Sequence, residues 1–147
     1  MTNMTCTPDQ MIFVNLPSAD IPRARTFYAG LGYAFDERFC DQSSLMVGVS
    51  PTIHLMILER SKFAGFAPRP VSPEGTVGTL ICLSQPSAEA VDAFIARALA
   101  HGGTDNAKVQ EMGDYMYGRS VSDPDGNVLE FMWMDVERAM AAWSQAA

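Results

Sequence analysis

The chain has 147 residues, 48% of them hydrophobic and 18% charged, which suits one compact domain and excludes the polar, charge-dense composition of disordered chains. Its 10 basic and 17 acidic residues leave a net charge of -7 with no Lys/Arg cluster, which argues against nucleic acid and anionic membranes as partners. The cysteines, Cys6, Cys40 and Cys82, show no CxxC spacing, the opening segment MTNMTCTPDQ has no leader pattern, and no apolar run approaches the roughly 20 residues of a membrane span, so a reducing cytoplasmic setting is expected.

In chain order, the β-branched and aromatic run Met11–Leu16 predicts a strand, closed by Pro17. Asp20 is a helix cap, Pro22 stands in the first turn, Ile21, Ala24, Phe27, Tyr28 and Leu31 form an apolar stripe, and Gly30 and Gly32 end the helix. Tyr33–Phe39, Ser44–Val49 and Thr52–Leu58 predict three more strands, separated by polar or proline-bearing turns. From about 60 to 75, Pro68, Pro70 and Pro73 with Gly65 and Gly75 mark an irregular arm. The order then repeats: a strand at Val77–Leu83, a helix over Pro86–His101, and strands at Lys108–Met112, Tyr115–Val121 and Val128–Met134, the last two joined around Asp125-Gly126. Asp135–Ala146 predicts a terminal helix.

Strand, helix and three strands, twice over, predict an α+β fold of two βαβββ modules, one at about 11–59 and one at about 76–134, within a single domain spanning 1–147. Each module is a curved sheet with a helix on one face, so the free faces form an open cup where a small molecule would bind.

Alternation sends Glu130 away from Leu129 and Phe131, to the side of Val128 and Met132. Facing solvent it is an ordinary edge carboxylate; facing the cup it is a general base. His54, between Ile53 and Leu55, shares a face with Thr52 and Met56 and is read either as a structural histidine or as a partner of Glu130 in proton transfer. Tyr115, Tyr117 and Arg119 share one face, and either grip an aromatic or anionic ligand in the cup or form outer strand surface. Met56 and the other methionines fill core gaps or line an adaptable pocket, Cys82 reads as a small buried hydrophobe, and His101 at a helix end is assigned no chemistry.

The paired βαβββ order, with the ending DPDGNVLEF at Asp123–Phe131 and the stretches VNLPSAD, FYAGLGY and AHGGT, resembles the vicinal oxygen chelate superfamily of glyoxalases, bleomycin-resistance proteins and extradiol dioxygenases. The resemblance implies a curved mixed sheet with an open cup, commonly completed in a homodimer. It also implies a divalent metal held by one side chain from each of the first, fourth, fifth and eighth strands. Carried onto this chain, those positions fall on Phe13, His54, Thr79 and Glu130. Only His54 and Glu130 are competent donors, and a catalytic zinc takes about three protein ligands, so no metal cofactor is expected unless Asn15, Asp36, Glu59 or a second subunit completes the set. Phe13, Asn15, Met56 and Thr79 are then expected to line the ligand cup, with Glu130 and His54 as the catalytic pair. Three functions follow as expectations: small-molecule binding with metal-free acid–base chemistry, bleomycin-resistance-like sequestration of a cationic drug by a dimer, or a metal-dependent lyase or ring-cleaving dioxygenase.

Overall fold

The computed structural model describes residues 6–146 of the chain; part of the opening segment read above for a leader pattern lies outside them. The first module runs β1 (Ile12–Ser18), α1 (Ile21–Gly30), β2 (Ala34–Phe35), β3 (Ser44–Gly48) and β4 (Ile53–Glu59). A short helix α2 (Arg60–Phe66) opens the connecting arm. The second module runs β5 (Leu80–Ser84), α3 (Ala88–Ala100), β6 (Thr104–Met112), β7 (Met116–Ser122) and β8 (Val128–Met134), followed by α4 (Val136–Ala146). The fold is α+β: two four-stranded mixed sheets ordered β1-β4-β3-β2 and β5-β8-β7-β6, with β1 parallel to β4, β5 parallel to β8 and the other pairs antiparallel.

Several boundaries differ from expectation. The strand expected over Tyr33–Phe39 shrinks to β2, because Asp36 accepts from the Arg38 amide and turns Glu37–Phe39 into a single 3-10 turn. The segment expected to be irregular from residue 60 starts as α2, and Val77–Thr79 remain outside β5. β6 begins at Thr104 rather than Lys108, interrupted by a register shift between Asp105 and Val109 where Ala107 adopts φ 54°. That irregularity hid the start of the strand from an alternation pattern.

Each helix covers one face of its own sheet. Asp20 caps α1 by accepting from the Arg23 amide at 3.0 Å, and Ser87 caps α3 by accepting from Ala90 at 3.1 Å. Phe27 and Tyr28 of α1, with Leu31 just past its end, and Val91, Ile95 and Ala98 of α3 join Leu16, Leu45, Val47, Leu55 and Ile57 of the first sheet and Leu83, Val121, Leu129 and Phe131 of the second in one continuous core. Full burial of each such large side chain is worth about 1.5–3 kcal/mol.

The modules are joined reciprocally. The β7–β8 turn reaches the β1–α1 junction: Asp125 Oδ1 accepts from Ala19 N at 2.8 Å and Arg23 Nη2 at 2.7 Å, and Asn127 Nδ2 donates to Pro17 O at 3.1 Å. Beneath this turn the fully buried Tyr28 hydroxyl donates to Asp123 Oδ2 at 2.7 Å. At the other junction Arg97 Nε donates to Leu31 O, and the His101 ring lies over Gly30 so closely that a Cβ there would meet its Cγ at 2.1 Å.

Candidate functional site

With the helices on one side, the residues on the opposite faces are fixed by strand alternation. On the first sheet these are Phe13 and Asn15 of β1, His54 and Met56 of β4, and Met46 of β3; on the second they are Leu80 and Cys82 of β5, Val128 and Glu130 of β8, and Ser120 and Ser122 of β7.

A cavity of about 720 Å³ opens over the second sheet. Its floor is formed by Ser120, Ser122, Val128 and Glu130, with Asn106, Lys108 and Gln110 of β6 along one side. Asn15 and Pro17 of β1, Arg60 and Phe63 of α2, and the arm from Val71 to Thr79 enclose the other. The volume lies within the usual range for small-molecule pockets. Arg60 Nη2 donates to Ser72 O at 3.2 Å, which ties the arm to α2, and Thr76 Oγ1 donates to Pro73 O at 2.6 Å within the arm.

Glu130 stands on this floor, half-buried, between Cys82 on β5 and Ser120 on β7. Gln110 Nε2 donates to its Oε2 at 3.3 Å. Cys82, expected to be buried, is exposed, and desolvation followed by the Glu130 charge pushes its thiol above the ordinary range, which disfavours the nucleophilic thiolate. Asn106 is positioned by the β6 irregularity: its Nδ2 donates to Ser120 Oγ at 2.9 Å, and its Oδ1 accepts from Ser122 Oγ at 3.0 Å.

Of the residues named from sequence, Glu130, Asn15 and Thr79 line the cavity, while Phe13, His54 and Met56 lie outside its lining on the first sheet. His54 stacks on Phe13 with ring centroids 5.1 Å apart and 18° between planes, and its buried Nδ1 has no hydrogen-bond partner. Nor does it correspond to Glu130 across the duplication. Leu16 precedes the cap Asp20 as Leu83 precedes the cap Ser87, and the registers Leu16↔Ile57 and Leu83↔Phe131 then match Glu130 with Met56, and His54 with Val128. Because a displacement of one pleat period keeps a residue on the same face, alternation alone could not separate His54 from Met56. By the same match Leu80, not Thr79, is the counterpart of Phe13; Thr79 precedes the strand.

Tyr117 and Arg119 are a correction. They face α3, where the Tyr117 hydroxyl donates to Asp92 Oδ1 at 2.6 Å and Arg119 Nη1 to the same oxygen at 3.1 Å. Arg119 also pairs with Asp105 at 2.9 Å. These contacts, the tyrosine bond foremost, hold the Asp92 carboxyl below its ordinary range despite partial desolvation. Tyr115 shares their parity and is likewise absent from the cavity lining. Burial of the adjoining core residue Val121 decides which face of β7 turns inward, information that a polar–aromatic alternation does not contain. The residues missed in the sequence were Asn106, Gln110, Ser120 and Ser122; the signal for the serines was the other parity of the same strand.

The donors of one chain do not fit a divalent cation. Among the four strand positions, Phe13 has no lone pair to offer, Met56 and Leu80 bring no hard donor, and Glu130 remains as the single carboxylate. Asp36, considered as a substitute, is bound by Arg38 at 2.9 and 2.7 Å, and Glu59 shares the helix-facing parity of Leu55 and Ile57. Among the described residues no three His, Cys, Asp or Glu side chains gather as a metal site.

The sequence profile described as Glyoxalase/Bleomycin resistance protein/Dioxygenase superfamily matches residues 10–131. Among solved structures, a glyoxalase-related enzyme from Fulvimarina pelagi is similar at 18% identity and TM-score 0.72, covering 84% of this chain and 87% of its own. A glyoxalase/bleomycin resistance protein/dioxygenase family enzyme from Burkholderia phytofirmans is similar at 19% identity and TM-score 0.69, covering 85% and 98%. A lactoylglutathione lyase from Agrobacterium tumefaciens is similar at 18% identity and TM-score 0.64, covering 86% and 95%. The search of curated proteins gave no match. Likeness at these identities speaks for the fold.

Proposed function

As the chain belongs to the glyoxalase/bleomycin resistance protein/dioxygenase superfamily, we propose that it binds a small organic molecule in the cavity over its second sheet and that Glu130 is the acid–base group there. The observation that carries this reading is the position of Glu130: a half-buried carboxylate on the floor of the pocket, whereas the other lining carboxylates stand on the arm, at Glu74, and in the β7–β8 turn, where Asp125 is paired with Arg23. A carboxylate so placed accepts a proton from a ligand lying on the floor and returns it, with Gln110 fixing one of its oxygens. His54 has no part in this chemistry, since it stands on the other sheet and outside the cavity lining.

Fragments that bind the cavity can be found by ligand-observed NMR, and the best of them titrated across the pH range in which carboxylates ionise. Affinity is expected to depend less on pH through that range in Glu130→Gln than in the parent, with Glu74 and Asp125 of the lining present in both. Superimposable profiles would remove Glu130 from the role.

A second reading, sequestration of a cation between two copies, is favoured by Phe13, 46% exposed at the start of β1, and by the net charge of -7. In this reading a second copy covers the first-sheet face bearing Phe13, His54 and Met56. A metal-dependent lyase or dioxygenase lacks support in the donor set described above.

A further inference from the structure

The floor of the cavity carries a directional hydrogen-bond chain that the acid–base reading does not use. Ser122 Oγ donates to Asn106 Oδ1 at 3.0 Å, and Asn106 Nδ2 donates to Ser120 Oγ at 2.9 Å. The Asn106 amide thus uses its oxygen and one of its two N–H groups within the protein. Ser120 receives a bond, while its own proton meets no acceptor among the described residues. It is 5% exposed and lines the cavity, so that proton has one direction in which to find an acceptor. Hydrogen bonds in sequence polarise one another, which makes the last hydroxyl a better donor than an isolated serine.

Next to this free donor stands a separate acceptor, the Glu130 carboxylate. Ser120 and Glu130 are directly opposed on β7 and β8, a relation that puts their Cβ atoms about 4.5–5.5 Å apart on the same face. We infer that Ser120 and Glu130 form a paired donor–acceptor edge that recognises a cis-amide, the adjacent C=O and N–H of a lactam or cyclic imide. The carbonyl oxygen accepts from Ser120 and the ring N–H donates to the Glu130 carboxylate. Asn106 is a positioning residue here, and the break in β6 register, with Ala107 at φ 54°, is the device that turns its side chain toward β7.

This inference deepens the reading of the cavity as a small-molecule site and rests on it. The test is a titration of the full chain, followed through backbone and side-chain amide resonances, with δ-valerolactam, N-methyl-δ-valerolactam and cyclohexanone. δ-Valerolactam is expected to shift Ser120, Glu130 and the Asn106 side-chain amide saturably. The N-methyl lactam and the ketone, lacking the N–H, are expected to bind at least about tenfold more weakly, the ordinary cost of leaving a charged acceptor unpaired. Ser120→Ala, which removes the donor to the carbonyl common to all three probes, is expected to weaken each of them while keeping the preference for the lactam, and Glu130→Leu is expected to erase that preference. Ser122→Ala, which removes the bond that orients Asn106, is expected to weaken the lactam and cyclohexanone together, since both present a carbonyl to Ser120. Equal affinity for the three probes, with the floor resonances moving, would overturn the lactam edge and leave the cavity reading standing. No movement of floor resonances with any probe would overturn both.

Discussion

At the scale of single residues, the buried pair Tyr28–Asp123 shows how a hydroxyl can serve the fold and register pH at once. Asp123 Oδ1 accepts from the amides of Asp125 and Asn127 at 2.9 Å each, and Oδ2 from Asn127 Nδ2 at 2.9 Å and the Tyr28 hydroxyl at 2.7 Å. Burial, and next the Asp123 charge, pushes the Tyr28 phenol well above its ordinary range, and burial raises the Asp123 carboxyl. A phenol raised in the folded state contributes stability that is whole below the unfolded value of about 10 and is lost as pH climbs toward the folded one. Tyr28→Phe is therefore expected to cost about 1–3 kcal/mol at neutral pH. The gap to the parent should then narrow above about pH 10, as followed by urea unfolding at a series of pH values. A gap constant into alkali would mean that Tyr28 is not held neutral by the fold. The same residue scale carries the site: Glu130 was legible because it follows the Asp125-Gly126 turn in an apolar strand, whereas Ser120 and Ser122 are ordinary strand residues until Asn106 is seen to join them.

Among the elements, the contact between the ends of α1 and α3 sets how the two modules lean on one another. Gly30 closes α1 under the ring of His101, whose Nδ1 lies 2.7 Å from Arg97 O, and a methyl group at residue 30 would occupy the ring's place. Gly30→Ala is expected to destabilise the protein by about 1–3 kcal/mol, as overpacking does. With His101→Ala in the background the sign should reverse, since an alanine in place of a helical glycine gains about 0.5–1 kcal/mol once there is room for it. Chemical denaturation of the four proteins of this cycle measures both values, and a Gly30→Ala penalty that survives removal of the imidazole would reject the contact as its cause. Gly30 and Gly32 were read correctly as the stop signals of α1. What that reading lacked was the crossing of two chain segments that makes one of them obligatory for space. β6 teaches the same point from the other side, since its irregular register breaks the alternation that sequence reasoning depends on and, by that break, directs Asn106 to the cavity.

For the whole molecule, an uncovered apolar margin is the feature that bears on assembly. Ile12 and Phe13 at the start of β1 and Leu80 at the start of β5 are each about half exposed or more, at 52%, 46% and 60%. Under the reading in which a second copy covers the first sheet, sedimentation equilibrium is expected to show a dimer that Phe13→Glu dissociates. Calorimetry with a large organic cation should then give heat at low salt that fades at high salt. A parent that sediments as a monomer throughout would discard that reading and leave the cavity of the single chain untouched. By itself the sequence determined the duplicated βαβββ order, the cap at Asp20 and the parity that separates Glu130 from Leu129 and Phe131. These depend on local periodicity and turn chemistry, which neighbouring residues carry. Only the tertiary structure decided that Met56 rather than His54 is the counterpart of Glu130, that Tyr117 and Arg119 turn to α3, and that Asn106, Ser120 and Ser122 share the cavity floor. Those outcomes rest on strand register and on which face a helix covers, quantities set by pairings between segments far apart in the chain.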